Sequence, residues 1–288
     1  MSPVIGIGII GVFLYWIWTY RDIIIATFRK IGVVQLVIII ALIIVSLFLT
    51  VFAFVILVRD KGYSFGFADG YHALNLSQLA SMIPGGIWGY AGLAGILWSK
   101  RISKADSVVI IFFYTLSMLS ACAVVGISGL VQILGWGYTI ICLLPFLFLL
   151  LGRNWLDKVR QQHFPQTSPL PSTKALLEVL ALGMAVWIIT SFCFAWLVYN
   201  SEGLDVTPFW IIVGAYAAGY LGGYIAIFAP SGLGVSEGLV TLILGPYIGT
   251  NTILAIAISF RIIQTIVIWL NILYTVIIIS RGAQREID

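Results

Sequence analysis

At 288 residues, 61% hydrophobic and 9% charged, with a mean hydropathy of +1.10, the chain falls outside the soluble domains. Its net charge of +4 does not point to nucleic acid, because nearly all the Lys and Arg fall between apolar runs, where they report topology. Cys122, Cys142 and Cys193 each sit inside an apolar run and read as small buried hydrophobes; with only His72 and His163 besides, no metal or other cofactor is expected.

Apolar runs of about 18 residues or more, enough for a helix to cross roughly 30 Å of hydrocarbon, recur at 3–20, 33–58, 106–127, 129–151, 174–199, 206–228 and 250–279. They are too long and continuous for barrel strands. The fold class is therefore an all-α polytopic membrane protein, with about six to eight spans in a single integral membrane domain. Residues 1–32 read as an N-terminal span and loop. The run 3–20 has no basic leader and ends in Tyr15, Trp16, Trp18 and Tyr20 ahead of Arg21, an interfacial aromatic belt, so it reads as a mature span rather than a cleaved signal.

The first half, 33–151, contains the interrupted region 64–99, with Arg59 and Lys61 before it and Lys100, Arg101 and Lys104 after it. A broken helix crossing the membrane puts these clusters on opposite sides; a re-entrant hairpin puts them on one side, and loop charge alone does not separate the two. The linker 152–173 carries Arg153, Lys158 and Arg160 with Pro165, Pro169 and Pro171, and is expected in the cytoplasm of a cell whose inner (plasma) membrane holds the protein. The second half is 174–280, and the C-terminal tail with Arg281 and Arg285 falls on the cytoplasmic side. The 200–206 connection, with Glu202 and Asp205 and no base, faces out.

Two stretches nearly half the chain apart align without a gap: Pro84-Gly85-Gly86 through Gly92-Leu93, and Pro230-Ser231-Gly232-Leu233-Gly234 through Gly238-Leu239. Pro84 falls on Pro230 and Gly86 on Gly232. If both regions are hairpins, the unit span–hairpin–span recurs as 33–127 and 174–279 with opposite orientation, an inverted repeat of the kind that places a substrate site where broken helices meet. Helices restarting after such breaks expose N–H groups suited to an anionic group such as a phospholipid phosphate; the plainer reading is a kink packed through small residues.

Glu237 stands in the first turn after the second break, where it either caps the helix from the N3 position behind Gly234 or contacts a headgroup. Arg261, the basic residue within a span, lies near mid-membrane and needs a partner or a wet cavity; Glu237 is the candidate partner, and a phosphate is the other. Asn75 and Gln78, with Ser77 and Ser81, give the first interrupted segment a polar face, for the same cavity or for helix–helix hydrogen bonds. Trp88 and Tyr90 suit an ammonium cage or, more simply, an interfacial anchor.

At these residues the chain resembles the membrane region of the lysylphosphatidylglycerol synthase/flippase family. The resemblance rests on Pro230-Ser-Gly-Leu-Gly-Val-Ser-Glu-Gly238, Gly245, a later span with Arg261, and Leu79-Ala-Ser-Met-Ile-Pro84-Gly85-Gly86, and it runs over roughly 33–280. It departs at Ser236, where the family usually has Arg, and at Trp88-Gly89-Tyr90-Ala91-Gly92, where charged residues are expected. It implies a stand-alone lipid-translocating module without the synthase domain, itself not an enzyme, whose partner is a phospholipid, aminoacylated or polyprenyl-linked membrane lipid. The substrate-binding residues it points to are Pro84, Gly85, Gly86, Pro230, Gly232, Gly234, Glu237 and Arg261. The alternatives are a non-transporting scaffold for a lipid- or glycan-modifying enzyme and a membrane lipid transferase. Nucleic acid is not an expected partner, and homo-oligomers are compatible with either reading.

Overall fold

The computed structural model describes residues 3–81, 87–163, 168–202, 208–226 and 229–285. In hydrocarbon every backbone N–H and C=O must be paired, and helices are the only regular structure among the described residues. In order these are α1 (Pro3–Thr19), α2 (Arg21–Lys30), α3 (Val33–Asp60), α4 (Phe67–Ser81), α5 (Trp88–Ser99), α6 (Lys104–Val125), α7 (Ile127–Leu151), α8 (Arg153–His163), α9 (Thr173–Glu202), α10 (Phe209–Ile225), α11 (Val235–Ile248) and α12 (Thr250–Arg285). Among the described residues four stretches are long and apolar enough to cross a membrane: Val33–Asp60, Lys104–Val125, Thr173–Ser201 and Thr250–Ile278.

Hydrogen bonds at the two ends of α3 and α9 give their relative direction. Lys30 Nζ donates to the Ser201 carbonyl at 2.7 Å and Gln35 Nε2 to the Trp196 carbonyl at 3.5 Å, while at the other end the Asp60 carboxylate accepts the N–H and hydroxyl of Ser172, each at 2.6 Å. The pairing runs in opposite senses along the two chains, so α3 and α9 are antiparallel. One face of the molecule therefore carries Lys30 and Ser201, and the other carries Lys61 and Ser172.

Helices α4 and α5 lie side by side as the arms of a hairpin that enters and leaves at the Lys61 face. Lys100 Nζ lies 2.6 Å from Asp69 Oδ1, joining the end of α5 to the first turn of α4. Further in, a Cβ added to Gly89 would stand 3.0 Å from Ser81 Cβ, and one on Gly92 would stand 3.2 Å from Ala80 Cβ, so the arms touch through small residues. Arg59, Lys61, Lys100 and Lys104 thus share one face, which decides between the two topologies that loop charge left open.

The run 206–228 does not cross. Its helix α10 turns back at a 3₁₀ turn, Pro230–Gly232, into α11, which ends beside Thr250 and Asn251 at the Lys30 face, where Tyr20 Oη reaches Asn251 Oδ1 at 3.4 Å. The hairpin α4–α5 opens at one face and α10–α11 at the other. With α3 matched to α9 and α6 to α12, the two halves are an inverted repeat. The run 129–151 also differs from a plain span: Gly135 in α7 has φ 69°, and Pro145 follows inside the same helix.

Three hydrophobic clusters hold the described pieces, two of them centred on aromatic rings. In one, Phe194 of α9, Tyr216 of α10 and Phe260 of α12 stack with ring centroids 4.9 to 5.6 Å apart. In the other, Phe54 of α3 meets Phe65 and Tyr114 edge-on at 6.1 and 5.2 Å. Cys122 and Cys193 are fully buried, as small hydrophobes; the side chains of Cys142 and His163 lie outside the described residues.

At the Lys61 face a buried ionic cluster closes the base of the first hairpin. Lys61 Nζ stands 2.8 Å from Asp106 Oδ1 and also donates to the carbonyls of Ser168 and Pro169; Tyr63 Oη, Ser103 Oγ and Ser168 Oγ donate to the same carboxylate. The linker is thereby tied to the ends of α3 and α6. Because Lys61 is buried, exposed neighbours report the topology: Ser64→Cys and Ser99→Cys are expected to react with an impermeant thiol reagent from one side of sealed vesicles, and Asn251→Cys from the other. Opposite labelling of positions 64 and 99 would refute the hairpin.

Candidate functional site at the second hairpin

The tip of α10–α11 is shaped by residues that cannot continue a helix. Pro230 has no N–H to donate, Ser231 has φ 50°, and Gly232 and Gly234 have φ 70° and 78°. A Cβ on Gly232 would lie 2.9 Å from the Gly223 backbone, and one on Gly223 would lie 2.0 Å from Ser236 Oγ. Glycine is required at both positions for α10 and α11 to touch, and Gly219 of α10, beside Val240, extends the same stripe.

Glu237 sits one turn into α11 and is 4% exposed. Its Oε2 accepts the Gly234 N–H at 2.7 Å, the N3-to-N-cap half of a capping box; glycine has no side chain to supply the other half. Its Oε1 accepts from Arg261 Nε at 2.6 Å. Both oxygens of the carboxylate are therefore engaged, one by the helix end and one by the guanidinium. The capping and ion-pair readings of Glu237 both hold, on different oxygens.

Arg261 lies about 16 Å along α12 from Thr250 at 1.5 Å per residue, close to the middle of a roughly 30 Å hydrocarbon layer. Its side chain is 13% exposed. Nη2 reaches the Ser231 carbonyl at 3.4 Å, and the guanidinium lies 5.9 Å from the centre of the Tyr220 ring, which packs on Trp187 at 4.6 Å. Trp187 is fixed in turn by its N–H to the Met118 carbonyl at 3.0 Å. The remaining N–H groups of the fork donate to no described residue. They border a small cavity lined by Tyr216, Tyr220, Ser236, Glu237 and Gln264, of about 10 Å³, room for one water at most. In this conformation the site is shut.

The chain matches the lysylphosphatidylglycerol synthase transmembrane region along residues 4–271, nearly its whole length and both hairpins. It belongs to that family. Comparison with curated proteins returns no match. The family relation gives the molecule a place in membrane lipid biology.

In this member of the family the site residues expected from sequence divide into groups. Gly232, Gly234, Glu237 and Arg261 come together, with the backbone of Pro230 in the turn beneath them. Asn75 does not join them: its Nδ2 donates to Thr275 Oγ1 at 3.2 Å, about 20 Å further along α12 than Arg261 at 1.5 Å per residue. Its neighbour Tyr71 bonds Asn271 at 2.7 Å, so this polar face joins α4 to α12 as helix–helix hydrogen bonds do. Gln78 is exposed and accepts from Ser81 Oγ at 3.2 Å, apart from the pair. Pro84, Gly85 and Gly86 lie outside the described residues.

Tyr90 is not an interfacial anchor, since the first turn of α5 lies about 15 Å in from the Lys61 face at 1.5 Å per residue. The sequence reading passes over Tyr216, Tyr220, Gln264 and the Ser231 carbonyl. Two signals point to three of them: Gln264 stands one turn beyond Arg261 on the same helix, and Tyr216 and Tyr220 stand four apart among small residues.

Removing one partner leaves the other charged and buried. Glu237→Gln or Arg261→Gln alone is expected to cost about 3 kcal/mol of stability, and the double variant to recover most of it, because no lone charge remains. Thermal unfolding of the four proteins in one detergent gives the cycle; additive losses would contradict the pairing. Gly223→Ala is expected to destabilise by about 1–3 kcal/mol through overpacking. Adding Ser236→Ala, which removes the clashing hydroxyl, is expected to restore part of that loss in the same assay.

Proposed function

We propose that this chain moves a membrane lipid between leaflets, with the headgroup passing between the tip of the second hairpin and α12. The observation that carries this reading is the Glu237–Arg261 pair, a charged and hydrogen-bonded site held at mid-membrane at the end of a hairpin. Charge at that depth is costly and is kept where a polar species must cross. The pair holds the tip on α12 in the closed state. A headgroup phosphate offers Arg261 bidentate acceptors, so its arrival compensates the guanidinium as the tip moves away. Trp187 and Tyr220 keep the guanidinium aimed at the passage throughout.

Sequence and site together supply no nucleotide-binding motif and no nucleophile–base set, and the reading assigns the chain no chemistry of its own. Movement down an existing gradient of lipid, charge or potential is sufficient. The Lys61 face carries Arg59, Lys61, Lys100, Arg101, Lys104 and Lys174, against Arg21, Arg29 and Lys30 at the other face, which supports a cytoplasmic Lys61 face in a plasma membrane.

The test is reconstitution of the purified protein into vesicles with headgroup-labelled lipids, following arrival in the opposite leaflet. Wild type is expected to accelerate movement over empty vesicles, and Glu237→Gln and Arg261→Ala to lose roughly tenfold or more of that acceleration. Absence of movement for every lipid, from protein shown to be folded, would transfer the reading to a membrane scaffold for a lipid- or glycan-modifying enzyme.

A further inference from the structure

A lipid whose headgroup passes between the second hairpin and α12 keeps its acyl chains in hydrocarbon, because a polar passage offers apolar surface nothing. The cavity of about 10 Å³ at Arg261 has no room for them, so the seam between tip and helix must open sideways to the bilayer. Resting on the translocation reading for that seam, we infer that α1 is its lateral gate. It lies over the lipid side of the seam in the closed state and parts from it to admit acyl chains.

The seam has two sides. On the inner side Phe260 of α12 packs on Phe194 of α9 and Tyr216 of α10, and Trp187 and Tyr220 stand behind Arg261. Ile258 and Ile262 lie two residues to either side of Phe260, on the opposite face of α12. They join Leu233 of the tip and Phe13, Trp16 and Ile17 of α1 in one hydrophobic cluster. Helix α1 also rests against the 3₁₀ turn Pro230–Gly232. The three α1 residues are spaced three and four apart, a single helical stripe, and that stripe is turned toward the seam.

The hold of α1 on the seam is apolar and narrow. Its described side chains, from Gly11 on, make no hydrogen bond or ion pair to α10, α11 or α12 among the described residues. Phe13 is 7% exposed, whereas Val12, Leu14, Tyr15 and Trp18 are 49 to 69% exposed. Its joint to α2 is firmer: Arg21 Nη1 donates to the Trp18 carbonyl at 3.0 Å, and the guanidinium lies 4.7 Å from the centre of the Trp18 ring. Helix α2 is anchored in turn by Lys30 on the Ser201 carbonyl at 2.7 Å. Lipid tails are as apolar as the side chains that α1 presents, so they replace its contacts at little cost. A water-soluble substrate would have no use for this opening.

The test clamps α1 and leaves the hairpin tip untied. Phe13 and Ile258 each lie seven residues, about 10 Å, in from Tyr20 and Asn251, which meet at 3.4 Å, so the two share a depth within their cluster. In the full chain without native cysteines, Phe13→Cys with Ile258→Cys is used to tie α1 to α12. Movement of headgroup-labelled lipid in vesicles is expected to fall roughly tenfold or more on oxidation and to return on reduction. Undiminished movement in protein shown to be cross-linked overturns the gate and leaves translocation standing.

A second readout does not depend on movement. A phospholipid with a photoactivatable group at the end of an acyl chain is expected to label Leu233 and Ile262 severalfold more in Phe13→Ala than in wild type, relative to the exposed Ile266, and less when α1 is clamped. Labelling of the seam that neither change alters overturns the gate. If wild type moves no lipid while labelling shifts in both expected directions, translocation is refuted and α1 stands as the cover that admits lipid chains to the seam.

Discussion

Hydrocarbon supplies neither counter-ions nor hydrogen-bond partners, and Glu237 and Arg261 both lie within it. Every feature around them follows from that constraint. The carboxylate is satisfied by a helix end on one oxygen and a guanidinium on the other. The helix end exists because Pro230, Ser231, Gly232 and Gly234 turn the chain back in the middle of the layer. The turn fits because glycines on α10 admit α11 at backbone contact. Arg261 reaches the turn because the Phe194–Tyr216–Phe260 stack seats α12 one residue away. Remove the pair, and the tip has no electrostatic reason to rest on α12.

The inverted repeat makes the asymmetry of the two hairpins informative. The first is fastened at its base, near the aqueous boundary, by Lys100–Asp69 and by the Lys61–Asp106 cluster that also holds the linker. The described part of its inner end offers Tyr90 and small residues rather than charge. The second is fastened at its tip, in mid-membrane. A clamp at the base leaves a hairpin's position fixed relative to its flanking spans, while a clamp at the tip can be exchanged for a charged ligand. The moving element in the proposed cycle is accordingly the second hairpin.

Much of this was legible in the sequence, for physical reasons that differ from place to place. Uninterrupted apolar length identified α3, α6, α9 and α12, because a bilayer selects length and hydrophobicity directly. Glu237 and Arg261 were found as charges where charge is costly. Composition could not tell a crossing from a hairpin at 206–228, since both arms of a hairpin are as apolar as a span. The kink at Gly135 was hidden because glycine is tolerated in straight membrane helices too. Asn75 was read as open between the cavity of the pair and helix–helix hydrogen bonds, and its bond to Thr275 fits the second; polarity shows that a residue needs a partner and says nothing of which one. Tyr220 and Gln264 were missed because aromatic and amide side chains in membrane helices usually serve packing.

The claim on which the account turns is that the hairpin tip must part from α12 for a headgroup to pass. Leu233, beside the tip, packs in one cluster with Ile258 of α12. In a background without native cysteines, Leu233→Cys with Ile258→Cys is used to clamp the tip to α12 reversibly across that cluster, and lipid movement in vesicles is read before oxidation, after it, and after reduction. Loss of movement on oxidation and its return on reduction is the result the account predicts. Movement undiminished in protein shown to be cross-linked would contradict it.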